Sequence, residues 1–170
     1  AMTALLDTVE HETGPQPQWS VVWLHGLGAD GNDFAPIVPE LVRREWPAIR
    51  FVFPHAPVRA VTINGGARMR AWYDIRDMNL ATRADSEGVA ESVAQVEALI
   101  AREAERGIGA DRVLLAGFSQ GVAVTLAAGI ARPRPLAGLI ALSTYLPMTP
   151  AQAQAALQPA ATAQPVFMAH

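Results

Sequence analysis

Residues 112–126 read RVLLAGFSQGVAVTL, and this stretch decides the fold. Its first half is a short apolar run rich in β-branched and aliphatic residues, which is typical of a buried strand. Its second half begins an apolar pattern with helical spacing, in which Val122, Leu126 and Ile130 predict the buried face. The sequence therefore predicts a strand, a sharp turn and a helix in immediate succession.

The turn between strand and helix has the pattern glycine, any residue, serine, any residue, glycine. Gly117, Ser119 and Gly121 occupy the three fixed positions. A serine on such a turn exposes its hydroxyl, and the following helix N-terminus favours developing negative charge. The backbone N–H of Gln120 then points toward a substrate oxyanion. We interpret Ser119 as a nucleophile; the alternative is an ordinary serine N-cap between two turn glycines.

Strand-like and helix-like segments alternate along the rest of the chain. A helical apolar stripe runs from Val89 to Ile100, and a shorter one lies near Val38. Alternation of this kind predicts one α/β domain over residues 1–170, with a mostly parallel sheet covered by helices on both faces. The remaining predicted strands are residues 19–25, 50–54, 139–143 and 166–170.

Composition excludes several classes of protein. Hydrophobic residues make up 51% of the 170 residues and charged residues 17%, so disorder is excluded as the main state. No apolar run reaches the ~18 residues that a membrane-spanning helix needs. A net charge of −3 without a basic cluster argues against nucleic acid as a partner. Cysteine is absent, which removes disulfides and thiolate metal sites, and a cytoplasmic location is expected.

A glycine-rich turn follows the first predicted apolar strand. Gly26, Gly28 and Gly31 match a dinucleotide-binding fingerprint, but no acidic residue follows at the end of the second predicted strand to hold a ribose. Because Arg50 or Arg59 could instead hold a ribose phosphate, an NADP-binding oxidoreductase that uses residues 26–31 is kept as an alternative. The same loop also resembles the α/β-hydrolase loop that donates a backbone N–H to an oxyanion.

Six stretches together give the chain a close resemblance to bacterial carboxylesterases related to acyl-protein thioesterases and lysophospholipases. They are residues 23–28, 54–57, 61–66, 71–75, 117–121 and 142–147. The resemblance implies an α/β-hydrolase that cleaves short to medium acyl esters, with thioesters and lysophospholipids as further candidates, and without a cofactor. It implies Ser119 as nucleophile and the backbone N–H groups of Leu27 and Gln120 as oxyanion donors. A metal site is not expected, because His25, His55 and Asp74 lack the spacing of metal ligands on a helix or strand.

Apolar and aromatic residues on loops near the strand ends are candidates for the acyl pocket. Packing of the loops against the fold is the equally weighted alternative. These residues are Ile63, Met69, Trp72, Tyr145 and Leu146.

The base and acid of a serine hydrolase are not evident. No Asp or Glu follows Ser119, and the one later histidine is His170, although this fold places acid and base after the nucleophile. We expect a C-terminally truncated domain that is close to inactive alone, a non-catalytic fragment being the alternative. A complementing C-terminal piece or a second copy is the expected partner.

The polar residues that precede Ser119 are expected to have structural roles. We expect His25 and His55 to order loops, His11 to lie in a tail, and Asp74 to satisfy backbone groups or an arginine.

Overall fold

The computed structural model describes residues 3–76 and 85–142, and the backbone of 166–169. Each of the five predicted strands is confirmed to within one residue at either end. The elements are β1 Thr8–Glu12, β2 Trp19–Leu24, α1 Val38–Leu41, β3 Ile49–Pro54, β4 Val58–Val61, β5 Ala67–Arg70, α2 Ser86–Glu105, β6 Val113–Phe118, α3 Gln120–Ala131, β7 Gly138–Leu142 and β8 Val166–Ala169.

Six of these strands form one sheet in the order β1-β3-β2-β6-β7-β8. Strand β1 is antiparallel to β3, and the other neighbours are parallel. From β2 the chain passes to one side to form β3 and later returns to the other side to form β6. The carboxyl ends of β2 and β6 therefore border a crevice of the kind in which open α/β sheets bind ligands.

Both faces of the sheet are buried, which explains the unbroken apolar runs. On one face, Val22 and Leu24 of β2 pack in a cluster with residues of α2 and α3. On the other face, Val21 and Trp23 pack with the aromatic residues of β3 and with α1. Successive strand residues point to opposite faces, so every position of β2 after Trp19 is buried.

Helix α2 follows the sequence prediction, whereas α1 is much shorter than its apolar pattern suggested. Val96, Leu99 and Ile100 lie on the buried face of α2. Helix α1 has only four residues and follows a 3₁₀ turn at Ala35–Ile37. Pro39 lies in the first turn, where its missing N–H needs no partner, and the helix ends because Val42 is extended, with φ −111° and ψ 150°.

The predicted buried face of α3 is wrong. Val122 and Leu126 are only half-buried, and Ile130 is 79% exposed. The buried positions are instead mostly small: Gly121, Val124, Thr125, Ala128 and Gly129, together with Gln120. Because α3 approaches the sheet closely, the residues on its contact side are small. The largest apolar residues of α3 therefore do not indicate which side is buried.

The N-terminal segment is a strand and not the expected tail. Strand β1 pairs with β3, and His11 lies opposite Phe51 in that ladder. Glu10 forms ion pairs with Arg102 at 2.6 Å and Arg106 at 2.9 Å, both near the end of α2. These contacts lower the pKa of Glu10 despite the opposing effect of burial.

A buried carboxylate, Glu103 of α2, joins the amino ends of the strands. It accepts hydrogen bonds from Ser20 of β2 at 2.9 Å and from Arg50 of β3 at 2.5 Å. Arg50 also donates to Glu12 of β1 at 2.8 Å. Burial alone would lower the pKa of Arg50, but the two carboxylates raise it, so the guanidinium stays charged.

The long excursion after β3 forms a separate hairpin of β4 and β5. Its turn contains Gly65 and Gly66, and both have positive φ, 68° for Gly65 and 80° for Gly66. The hairpin lies beside the glycine-rich loop after β2, because the N–H of Gly28 donates to the carbonyl of Arg70 at 2.8 Å.

Candidate active site

Ser119 lies at the carboxyl end of β6 with backbone angles of φ 55° and ψ −117°. Gln16 is the other non-glycine residue with positive φ in the described part of the chain. Helix α3 starts at the next residue, and the Ser119 side chain makes no capping hydrogen bond to it. The N-cap alternative is therefore not supported, and Ser119 is half-buried.

Both motif glycines lie where a side chain would collide with backbone. A Cβ at Gly117 would overlap the carbonyl oxygen of Gly121. A Cβ at Gly121 would lie 2.6 Å from the carbonyl oxygen of Leu24, at the end of β2. These glycines let the turn fold tightly and let α3 begin directly against β2, as the motif predicted.

The loop after β2 lies directly against the serine. A Cβ built at Gly26 would be 3.2 Å from the Cβ of Ser119. The N–H of Leu27 makes no hydrogen bond within the described residues, whereas that of Gly28 is taken by the hairpin. The N–H of Gln120, at the first position of α3, belongs to the group that a helix leaves without an internal partner.

His25 orders the loop after β2 in its neutral form. Its Nδ1 lies 2.7 Å from the carbonyl oxygen of Gly26, and its Nε2 accepts from the N–H of Ala56 at 3.0 Å. An acceptor role for Nε2 places the proton on Nδ1, which donates to Gly26. Burial lowers the pKa of His25, which keeps this tautomer neutral.

The two other polar residues near the site also have the structural roles expected of them. His55 accepts from the N–H of Gly31 at 3.0 Å through Nδ1. Asp74 accepts from both the hydroxyl of Thr62, at 2.5 Å, and its N–H, at 2.8 Å. These two bonds lower the pKa of Asp74.

Trp72 and the Gln120 side chain form a contact that the sequence pattern did not reveal. Gln120 Oε1 accepts from the N–H of Trp72 at 2.8 Å, and its Nε2 donates to the carbonyl of Tyr73 at 2.7 Å. The indole N–H of Trp72 donates to the carbonyl of His25 at 2.8 Å. Ser92 of α2 donates to the carbonyl of Trp72. No spacing rule links positions 48 apart, so only the structure shows this contact.

The candidate pocket residues fall into three groups. Met69 is half-buried, and its sulfur lies 3.7 Å from a Cβ built at Gly28, beside the loop after β2. Ile63 is half-buried in the 3₁₀ turn of the hairpin. Trp72 is fully buried, which matches the packing alternative and not a pocket wall open to solvent. Tyr145 and Leu146 lie outside the described residues.

The geometry of the glycine-rich turn does not favour a dinucleotide site. The fingerprint requires a helix N-terminus at the glycines, whereas α1 begins only at Val38 and has four residues. Gly31 is a packing glycine, because a Cβ there would overlap the carbonyl oxygen of Phe53. Within the described ranges, no group of three metal-ligating residues is present, and no helix is long and apolar enough to cross a bilayer.

Curated relatives of this chain are named as thioesterases. Acyl-protein thioesterase 1 of Yarrowia lipolytica is 40% identical over 131 residues, covering 76% of this chain and 58% of that protein. Acyl-protein thioesterase 1 of Schizosaccharomyces pombe is 38% identical over 150 residues, covering 86% and 65%. The chain thus spans about three fifths of the length of these relatives.

Solved structures that resemble this chain have the same fold. Arabidopsis thaliana SOBER1 is 35% identical with a TM-score of 0.68, covering 77% of this chain and 63% of that one. Esterase PE8 is 27% identical with a TM-score of 0.71, covering 97% and 74%. The α/β-hydrolase fold is thereby confirmed. The model of the Phospholipase/Carboxylesterase family matches residues 7–170, and the chain therefore belongs to that family.

Proposed function

We propose that this protein is a serine hydrolase of carboxylic esters with short to medium acyl chains. The observation that carries the proposal is the geometry of Ser119 at the end of β6. Its backbone φ is positive, its side chain makes no capping hydrogen bond to α3, and the loop after β2 packs against it. Thioesters and lysophospholipids are candidate substrates within the same chemistry. The names of the thioesterase relatives favour the thioester.

In the proposed reaction, Ser119 Oγ attacks the carbonyl carbon of the ester, and its proton passes to a general base. The carbonyl oxygen becomes an oxyanion that accepts hydrogen bonds from the N–H groups of Leu27 and Gln120. Each such donor typically contributes about 3–4 kcal/mol to the transition state. The alcohol or thiol leaves with a proton, and water then attacks the acyl-enzyme to release the acid and free Ser119.

The described histidines do not supply the general base. Both ring nitrogens of His25 are engaged, and its pKa is lowered. His55 uses Nδ1 to hold Gly31, and His11 lies in β1 at the edge of the sheet. Turnover therefore needs a base from outside residues 3–76 and 85–142. The expected partnership with a complementing piece or a second copy, and the cytoplasmic location, remain predictions.

The acyl pocket is proposed on the hairpin side of the crevice. Met69 is the strongest candidate, because its sulfur lies beside the loop that carries Leu27. Ile63 stands on the same hairpin. Tyr145 and Leu146 stay in the proposal on the resemblance alone.

The test uses covalent labelling of the purified chain with an alkyl fluorophosphonate, followed by peptide mapping. We expect slow, stoichiometric labelling of Ser119, and none in Ser119→Ala. Ser86→Ala is the matched control, because Ser86 is exposed at the start of α2. Hydrolysis of p-nitrophenyl acetate should stay near the ~10³-fold to 10⁴-fold over water that survives loss of triad members. Labelling that persists in Ser119→Ala would refute the assignment.

A further inference from the structure

The two proposed oxyanion donors lie beyond the reach of the sheet's backbone pairing. The ladder between β2 and β6 ends at the pair Leu24 and Gly117. Leu27 and Gln120 each follow three residues later, Leu27 in the loop after β2 and Gln120 at the first position of α3. The distance between their N–H groups must therefore be set by contacts other than the ladder.

Trp72 is hydrogen-bonded both to the loop after β2 and to the start of α3. Its indole N–H holds the carbonyl of His25 at 2.8 Å, two residues before Leu27. Its backbone N–H holds Oε1 of Gln120 at 2.8 Å, the side chain of the second donor residue itself. We propose that Trp72, acting through the Gln120 side chain and the His25 carbonyl, is a positioning residue that fixes the spacing of the two oxyanion donors. This inference rests on the proposed function.

The two hydrogen bonds of Trp72, to His25 and to Gln120, form a bridge that is itself held from two further directions. Nε2 of Gln120 donates to the carbonyl of Tyr73 at 2.7 Å, so both ends of the amide are fixed. Ser92 of α2 donates to the carbonyl of Trp72. The Trp72 ring is fully buried and lies 5.2 Å from the His25 ring, centroid to centroid. A bridge that cannot shift keeps the donors preorganised, which is what oxyanion stabilisation requires.

A tryptophan that only fills the core would affect stability and leave the chemical step unchanged. The two roles separate in the variant Trp72→Phe, which keeps an aromatic ring and removes the N–H that holds His25. The readout is phosphonylation of Ser119 by an alkyl fluorophosphonate, whose phosphoryl oxygen occupies the same position as the carbonyl oxygen. This reaction reports donor placement without requiring turnover.

Trp23→Phe is the matched control. Trp23 is also buried, but its indole N–H has no hydrogen-bond partner in the described structure, and it packs on the opposite face of the sheet. The two variants therefore lose the same atoms, and only one of them loses the bridge.

For Trp72→Phe we expect the maximal labelling rate to fall about 10-fold to 100-fold, the range for a misplaced reacting group. The concentration giving half-maximal rate should change less than about threefold. Trp23→Phe should label as the parent does. Equal rates in the two variants would overturn the positioning role. A parent chain that does not label at Ser119 would instead overturn the proposed function.

A second variant covers the case in which Trp72→Phe fails to fold, as judged by circular dichroism. Gln120→Met keeps the backbone donor and the side-chain length but removes both amide hydrogen bonds. A fall in its maximal labelling rate of at least tenfold supports the bridge. A rate within twofold of the parent refutes it.

Discussion

Replacing Ser119 by glycine is expected to give a more stable protein than replacing it by alanine. Both variants lack the hydroxyl, so they differ only in the Cβ atom. With φ at 55° and ψ at −117°, the residue occupies a region that L side chains rarely adopt. Glycine adopts it without steric cost, because it has no Cβ.

The size of the difference follows from two opposing effects. Backbone strain of this kind costs about 1–3 kcal/mol, and glycine relieves it. Glycine also makes the unfolded chain more flexible, which costs about 0.4–1 kcal/mol. The net gain is about 1 kcal/mol, or about 2–4 °C in Tm for a protein of this size.

Urea unfolding followed by tryptophan fluorescence measures this difference in the free energy of unfolding. The control pair is Gln16→Gly and Gln16→Ala, because Gln16 also has positive φ, at 51°, and is exposed. The control pair shows how large the effect is at a position with no role in the site. A Ser119→Gly variant no more stable than Ser119→Ala would show that the turn at Ser119 is not strained.

Two further predictions concern stability. Burial lowers the pKa of His25, so the unfolded chain takes up that proton at higher pH than the folded one. Stability should therefore fall as the pH drops below ~6.5, and His25→Gln should lose this part of the pH dependence while the exposed His11→Gln keeps it. Glu103→Gln should cost about 1.5–3 kcal/mol of unfolding free energy, because buried Arg50 loses one of its two carboxylate partners and keeps only Glu12. Glu10→Gln, whose ion pairs are more exposed, should cost no more than about 1 kcal/mol in the same denaturation experiment.

The parallel strands of the main sheet and the sharp turn at Ser119 were predictable because both leave local signals. A strand buried on both faces is an unbroken apolar run, as in β2 and β6. The turn at Ser119 needs glycines at fixed offsets, so its motif is local as well. These features depend on neighbours in sequence, which a single chain displays directly.

Features that depend on distant partners were missed. Strand β1 is a polar edge strand whose partner, β3, lies some forty positions away, so its composition resembles that of a tail. The buried face of α3 follows from its close approach to β2. Gly121 lies on that face because a side chain there would meet β2, whereas Ile130 lies on the exposed side. The Gln120 contact with Trp72 joins positions 48 apart, and neither residue type predicts such a contact from sequence.

The ionic cluster around Glu103 lies at the opposite end of the strands from Ser119. Ser20 and Arg50 are the second residues of their strands, whereas the proposed chemistry follows the last residue of β6. Four residues of extended strand span about 13 Å, which is far enough for the effects of substitutions to add independently. Substitutions at the Glu103 end of the sheet can therefore change the stability of the protein independently of substitutions that change substrate selectivity at the Ser119 end.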